Sequence, residues 1–347
     1  MLSRNLKFFR LKSNKTKKEL ALECNLTPMA ISNYESGKRK PSLEIALKLA
    51  KSLNTSIEEL MEERNQNIKF QHLQFRKNSS LSLGQQEFVN ECVEEYFSRF
   101  FNVVDILGKK CIPSPFKTSF LISQNDYEKD ASQLRTNLSF SLTGPIDHLI
   151  SHLESVGILV SLIDFKESGF FGINGKVNDY PYIAVNKNMT QERIRSTIAH
   201  ELTHLTFDQK SIKDDEEEFA TAVSGAFLFP QINVLQEIGQ GRTRISSDMI
   251  NTCKKYGISM FMLIKRSKLC GCISSSVEKA AYIKMSKLGW RKKEPSRITF
   301  KEDTNLLKQL VLRAYGEEEI SEERALELLK VSDETLKKMM SLEVSDD

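Results

Sequence analysis

The stretch Ser196–Asp208, STIAHELTHLTFD, carries two of the chain's five histidines, four residues apart, with a glutamate directly after the first. Residues 190–207, TQERIRSTIAHELTHLTF, predict one helix with Thr190 at its N-cap and Ile194, Ile198, Leu202 and Leu205 as its buried stripe. Arg193, Thr197, His200 and His204 line a different face, so the two imidazoles project together one turn apart, as a single Zn²⁺ requires. A structural zinc site closes its shell with four protein ligands and has no use for a glutamate beside the first histidine. A catalytic site needs three ligands, an open position for water and a base. Glu201 supplies that base: zinc lowers the pKa of bound water from near 16 to about 7, and the carboxylate takes the proton and passes it to the leaving amine. The third ligand should be a carboxylate on the next helix. DDEEEFATAVSGAFLFP offers Asp214, Asp215, Glu216, Glu217 and Glu218, and periodicity does not choose among them.

Upstream, GILVSLIDF, SGFFGINGKV and YPYIAVNKN are short β-rich runs bounded by Gly, Asn, Asp or Pro, and predict an antiparallel sheet ahead of the helix. A second i,i+4 histidine pair, His148 and His152, lies in GPIDHLISHLESVGI. There Ile146, Leu149, Ile150 and Leu153 take the apolar face and leave both histidines on the solvated side, with no acidic base beside them. His72 sits in a polar stretch and receives no role.

The 347 residues suffice for two or three domains, and 40% hydrophobic with 28% charged residues excludes wholesale disorder. No apolar run is long enough to span a bilayer, and the basic start MLSRNLKFFRLK lacks the apolar core of a signal peptide. Six scattered cysteines without framework spacing point to reduced thiols and a cytoplasmic setting. Net charge is +4, but residues 1–60 carry twelve Lys/Arg against six Asp/Glu, leaving the remainder near −2. A basic head on a mildly acidic body suits contact between one end and nucleic acid.

That head is a run of short capped helices. Thr16 and Glu19 form a capping box, Thr27 caps a helix with Pro28 at its first position, and Gly37 ends it. Ser42 starts a helix with Leu43, Ala46, Leu47 and Ala50 expected inward, and Thr55 with Glu58 starts the last. Over roughly residues 3–62, with ISNYESGKRKPSLE as signature, the segment resembles an Xre/Cro-type helix-turn-helix domain. The resemblance implies that the Thr27 helix enters the major groove of double-stranded operator DNA. Pro28, Met29, Ser32 and Asn33 would then lie near base edges, with Asn33 suited to a bidentate contact with adenine. Thr16, Lys17, Lys38 and Arg39 would meet phosphates.

Residues 65–80 read as a linker. A long helix follows, with Phe88, Cys92, Phe97, Phe101 and Val104 on a stripe that calls for a partner, a second copy of the chain or another domain.

YIAVNKNMTQERIRSTIAHELTHLTFD followed by EEFATAVSGAFLFP resembles the ImmA/IrrE family of zinc metallopeptidases, themselves similar to gluzincins. GPIDHLISHLESVGILV and EISEERALELLKVS extend the likeness toward both ends. Matched residue by residue, Glu217 becomes the third ligand beside His200 and His204. Thr203 stands where the family often has Gly, on a face expected to be exposed. Thr221 stands where an Asn or Asp usually follows the ligand glutamate, which weakens support for a metal-bound histidine.

The whole reads as α+β and mainly helical. Residues 1–64 form an all-α helix-turn-helix domain, 65–124 a linker and helical connector, 125–270 a zincin-like domain with a small antiparallel sheet, and 271–347 a C-terminal helical region. The resemblance implies a DNA-binding regulator that cleaves a protein substrate, such as a repressor, in a stress or mobile-element response, with Zn²⁺ as its metal and no membrane partner. The alternative is a DNA-binding repressor whose zincin-like body is a non-proteolytic sensor or scaffold.

Overall fold

The computed structural model describes residues 2–62, 64–65, 67–72, 81–118, 121–167, 169–290, 293–295, 298 and 301–341, with backbone alone at residue 72. Along the chain run α1 (Leu2–Lys12), α2 (Lys17–Glu23), α3 (Pro28–Glu35), α4 (Leu43–Ser52), α5 (Ile57–Met61), β1 (Phe70–His72) and α6 (Leu83–Leu107). Then come α7 (Tyr127–Asn137), α8 (Leu149–Ser155), β2 (Leu159–Ile163), β3 (Gly172–Val177), β4 (Tyr180–Asn186) and α9 (Gln191–Thr206). The last elements are α10 (Glu216–Leu228), α11 (Gln231–Ile238), α12 (Ser247–Tyr256), α13 (Met260–Leu269), α14 (Ser275–Lys287), α15 (Leu306–Gly316), α16 (Glu322–Leu329) and α17 (Asp333–Met340). They fold as two compact units: Met1–Phe70 with Gln74–Lys109 and Leu310–Asp347, and Gln71–Leu73 with Lys110–Gln309.

In the first unit the helix starts follow local chemistry. Thr16 and Glu19 close the expected capping box, and Thr27 and Ser42 each accept from the third helical N–H. Ser56 and Glu59, rather than Thr55 and Glu58, cap α5. Leu6, Leu20, Ile31, Tyr34, Leu49 and Leu60 form the core. The inward face of α4 is rotated from the expected one: Ala46, Leu49 and Ala50 are buried, while Leu43 and Leu47 are exposed. On α6 the expected Phe97, Phe101 and Val104 are buried and Phe88 and Cys92 pack on the core of the head, and the buried face is wider than the stripe, taking in Val89, Val93 and Phe100 as well. That face is therefore covered within its own unit, which removes the argument for a second copy. The C-terminal helices serve packing here: Lys330 pairs with Glu95 at 2.6 Å, and Arg99 donates to the Leu328 carbonyl. Burial would raise the Glu95 carboxyl, but Arg99 and Lys330 beside it hold it at about 2.

The second unit holds the sheet, with strand order β1-β3-β4-β2. It is mixed rather than wholly antiparallel. β3 and β4 form a hairpin through Asn178, whose φ of 52° suits asparagine. β2 runs parallel to β4, Leu159 opposite Tyr182 through Ile163 opposite Asn186. β1, read as linker from sequence, adds the fourth strand; residues 73–80 of that linker lie outside the described residues. Close approach explains Gly175, where a Cβ would stand 2.5 Å from the Gln71 carbonyl oxygen. Ile183 and Val185 of β4 share one core with Ile194, Ile198 and Leu202 of α9, and with α8, α10 and α13. The stripe predicted for α9 is the buried one.

Buried polar groups fix α9 further. Arg195 and Glu302 form an ion pair, both side chains almost fully buried. Glu302 also accepts from the Leu149 and Ile150 N–H groups at 3.1 and 3.0 Å, and Arg195 donates to the Ile146 and Gly257 carbonyls at 2.6 and 3.1 Å. The start of α8 and the flank of α9 are thereby tied to one carboxylate. Among the described residues, no helix is long and apolar enough to cross a membrane.

Candidate metal centre and nucleic-acid face

Thr190 caps α9 by accepting from Arg193 N–H, and the helix then carries His200 and His204 on one face for a full turn. Their Nε2 atoms lie 3.1 Å apart, with ring centroids separated by 4.9 Å. α10 begins at Asp215, whose side chain caps it by accepting from Glu217 and Glu218 N–H. That start brings Glu217 against the histidines, with Oε2 3.5 Å from His200 Nε2 and Oε1 3.5 Å from His204 Nε2. The other four acidic residues of the run do other things. Asp214 accepts a 2.8 Å hydrogen bond from Tyr127, which with burial raises that phenol to about 12. Asp215 is the cap, and Glu216 and Glu218 face solvent.

Tetrahedral zinc with arms of about 2.0–2.1 Å holds its ligand atoms about 3.3 Å apart. The separations of 3.1, 3.5 and 3.5 Å match that spacing. The histidine side chains are only 13% and 12% exposed and Glu217 43%, so the group is open on the carboxylate side. His200, His204 and Glu217 form a group that could hold a metal ion.

Glu201 is 4% exposed and lies between α9 and β3, where Asn174 Nδ2 donates to its Oε2 at 2.8 Å. Asn174 was not singled out from sequence, since nothing in GINGKV shows which residue meets the helix. Two family departures are placed as follows. Thr203 is buried, not exposed; its hydroxyl donates to the Ala199 carbonyl at 2.9 Å, so it adds no unsatisfied group. Thr221 is exposed on α10, one turn after Glu217.

The other histidines stay apart. His148 is the residue before α8, with φ of 49°, so the pair does not share a helix as expected. His152 is not simply solvated: its Nε2 lies 2.7 Å from the Leu138 carbonyl, and its ring centroid is 4.0 Å from that of Phe140, the planes tilted by 33°. The side chain of His72 lies outside the described residues.

In the first unit, Thr27, Pro28, Met29, Thr16, Lys17, Lys38 and Arg39 are exposed, while Ser32 and Asn33 are half-buried. Three of these have structural duties. Thr16 and Thr27 are caps, and Lys17 stands 3.5 Å from Glu35, which a buried Arg10 also holds at 2.5 Å. The Arg10–Glu35 pair ties α1 to α3 and was invisible in the periodicity. The basic turn after α3 is anchored by a 3.2 Å bond from Arg39 N–H to the Asn33 carbonyl, which leaves the Lys38, Arg39 and Lys40 side chains in solvent.

Residues 6–60 match a helix-turn-helix model, and residues 153–268, from α8 to α13, match the IrrE N-terminal-like domain. No curated protein and no solved structure matches the chain. One chain thus carries a segment similar to Xre-type helix-turn-helix domains and, after it, a segment similar to the ImmA/IrrE family.

Proposed function

We propose that the chain is a transcription regulator whose IrrE-like domain is a zinc-dependent endopeptidase acting on another regulatory protein. The observation that carries this reading is the convergence of His200, His204 and Glu217 within 3.1–3.5 Å, with the buried carboxylate of Glu201 on the same helix. Zinc held there supplies a Lewis acid that acidifies water and polarises a peptide carbonyl. Glu201 accepts the water proton and delivers it to the leaving nitrogen. Asn174 donates to Oε2, which orients the carboxylate for that role. In the head, Asn33 reads a base while Thr16, Lys17, Thr27, Lys38 and Arg39 follow the phosphates; Pro28, Met29 and Ser32 complete the groove face.

Zinc content of the purified full chain tests the reading first. About one zinc per chain, lost in His204→Ala and retained in Glu201→Gln, is the expected result. A metal-free wild-type chain that still binds DNA overturns it. Thr221 favours a second reading, a repressor whose zincin-like domain senses or scaffolds without cutting, because a threonine supports a metal-bound histidine more weakly than a carboxylate. The two readings part on Glu201→Gln: a peptidase loses cleavage of its target protein, while a scaffold loses nothing.

A further inference from the structure

β3 breaks strand chemistry at the positions nearest α9. Its sequence GINGKV opens on a glycine and places an asparagine third, both poor strand formers. Residues two apart share a strand face, so Gly172 and Asn174 point the same way. Gly172 is not there for its backbone, because its φ is not among the positive ones. It is there for space: a Cβ would stand 2.7 Å from Thr197 Cγ2, 3.1 Å from Glu201 Cγ and 3.3 Å from Glu201 Oε1. Asn174, 5% exposed, donates to Glu201 Oε2 at 2.8 Å. An ionised carboxylate only accepts, so the amide nitrogen faces it and Oδ1 turns away, buried without a partner among the described residues. An arrangement that leaves an acceptor orphaned is a poor choice for stability alone.

We infer that Gly172 and Asn174 are positioning residues for Glu201. The glycine clears the space and the amide fixes one oxygen, setting where the proposed general base stands beside His200 and His204. The inference rests on the peptidase reading and adds the part of the sheet that makes the base effective.

The test uses the zinc-loaded full chain and acetohydroxamic acid, a small zinc-binding acid whose proton a neighbouring carboxylate takes up. Zinc per chain and acetohydroxamate affinity are measured for wild type, Gly172→Ala, Asn174→Ala, Asn174→Asp, Glu201→Gln and the Asn174→Ala/Glu201→Gln double variant. Each single variant should keep its zinc and bind acetohydroxamate about tenfold more weakly, as loss of one charge-assisted hydrogen bond predicts. The double variant should be no weaker than Glu201→Gln, because the amide acts only through that carboxylate. Asn174→Asp keeps the shape but sets a second carboxyl against Glu201, where the two share a proton, and it serves if the alanine variant does not fold. Wild-type acetohydroxamate affinity in both Asn174 variants overturns the inference and leaves the peptidase reading standing. Loss of zinc together with acetohydroxamate in every variant marks a merely structural role and overturns it too. A wild-type chain that binds no zinc, or zinc but no acetohydroxamate, overturns the peptidase reading itself.

Discussion

Removing the Glu302 carboxylate should damage the second unit more than any surface change. Glu302→Ala leaves the Arg195 guanidinium, whose side chain is 0% exposed, without its counter-charge, and strips the acceptor from Leu149 and Ile150 N–H. Breaking a buried pair from one side costs about 3–5 kcal/mol. Arg195 keeps its carbonyl partners at Ile146 and Gly257, which offsets part of the loss, so about 4 kcal/mol is expected. For a unit of this size that is a fall in Tm of about 8–16 °C. Urea unfolding of the full chain, followed by tryptophan and far-UV signals, measures it. Arg195→Met/Glu302→Leu should recover much of the loss, since an apolar pair leaves no buried charge. A single-variant loss below about 1 kcal/mol, or a double variant whose loss equals the two singles added, refutes the reasoning.

Burial pushes the Glu154 carboxyl from its ordinary 4.5 to about 8, against hydrogen bonds from the Leu306 and Asn305 N–H groups. Folding therefore favours the protonated form. The contribution is complete below pH 4.5 and is lost as pH rises toward 8, by at most about 5 kcal/mol. Glu154→Gln should flatten that slope in denaturant titrations run from pH 4 to 9, and an unchanged slope assigns it to other groups. Asn33→Ala should cost about 1–3 kcal/mol at a single base position in an anisotropy titration with operator variants, and a uniform loss across all sequences would contradict base reading. Lys38→Ala and Arg39→Ala should instead weaken every sequence alike, each reducing the salt slope by about one. Thr27→Ala, which removes the α3 cap, should lower stability of the head by about 1 kcal/mol in thermal melts.

Local chemistry was legible in the sequence where it acts over a few residues. Capping of α2, α3 and α9, the apolar stripe of α9 and the histidine pair all follow from spacings of three and four. Glu217 could be picked from five acidic neighbours only through resemblance, because the choice depends on how α10 meets α9, not on its own periodicity. Parallel pairing of β2 with β4 was hidden for a similar reason, since a strand's direction is set by its crossover and not by its composition. Arg195 and Asn174 are polar residues with long-range partners, and polar residues ordinarily read as solvent-facing. On α4, Ala46 and Ala50 are buried as expected but Leu43 and Leu47 are exposed, because hydrophobicity alone does not fix which flank of a helix meets the core.

The unit that carries the helix-turn-helix is assembled from both flanks of the IrrE-like segment: α1–α6 on one side, and on the other the residues that place Lys330 against Glu95. On the ribosome these pieces do not emerge together. The head and α6 leave the tunnel first, and their C-terminal counterpart follows only after all of Lys110–Gln309 has been translated. Until then Glu95, Arg99 and the neighbouring face of α6 await their closing helices. Completion of the unit that holds the helix-turn-helix is thus a late event of synthesis, and a nonsense codon between the metal centre and Lys330 would leave it without the partners of Glu95 and Arg99.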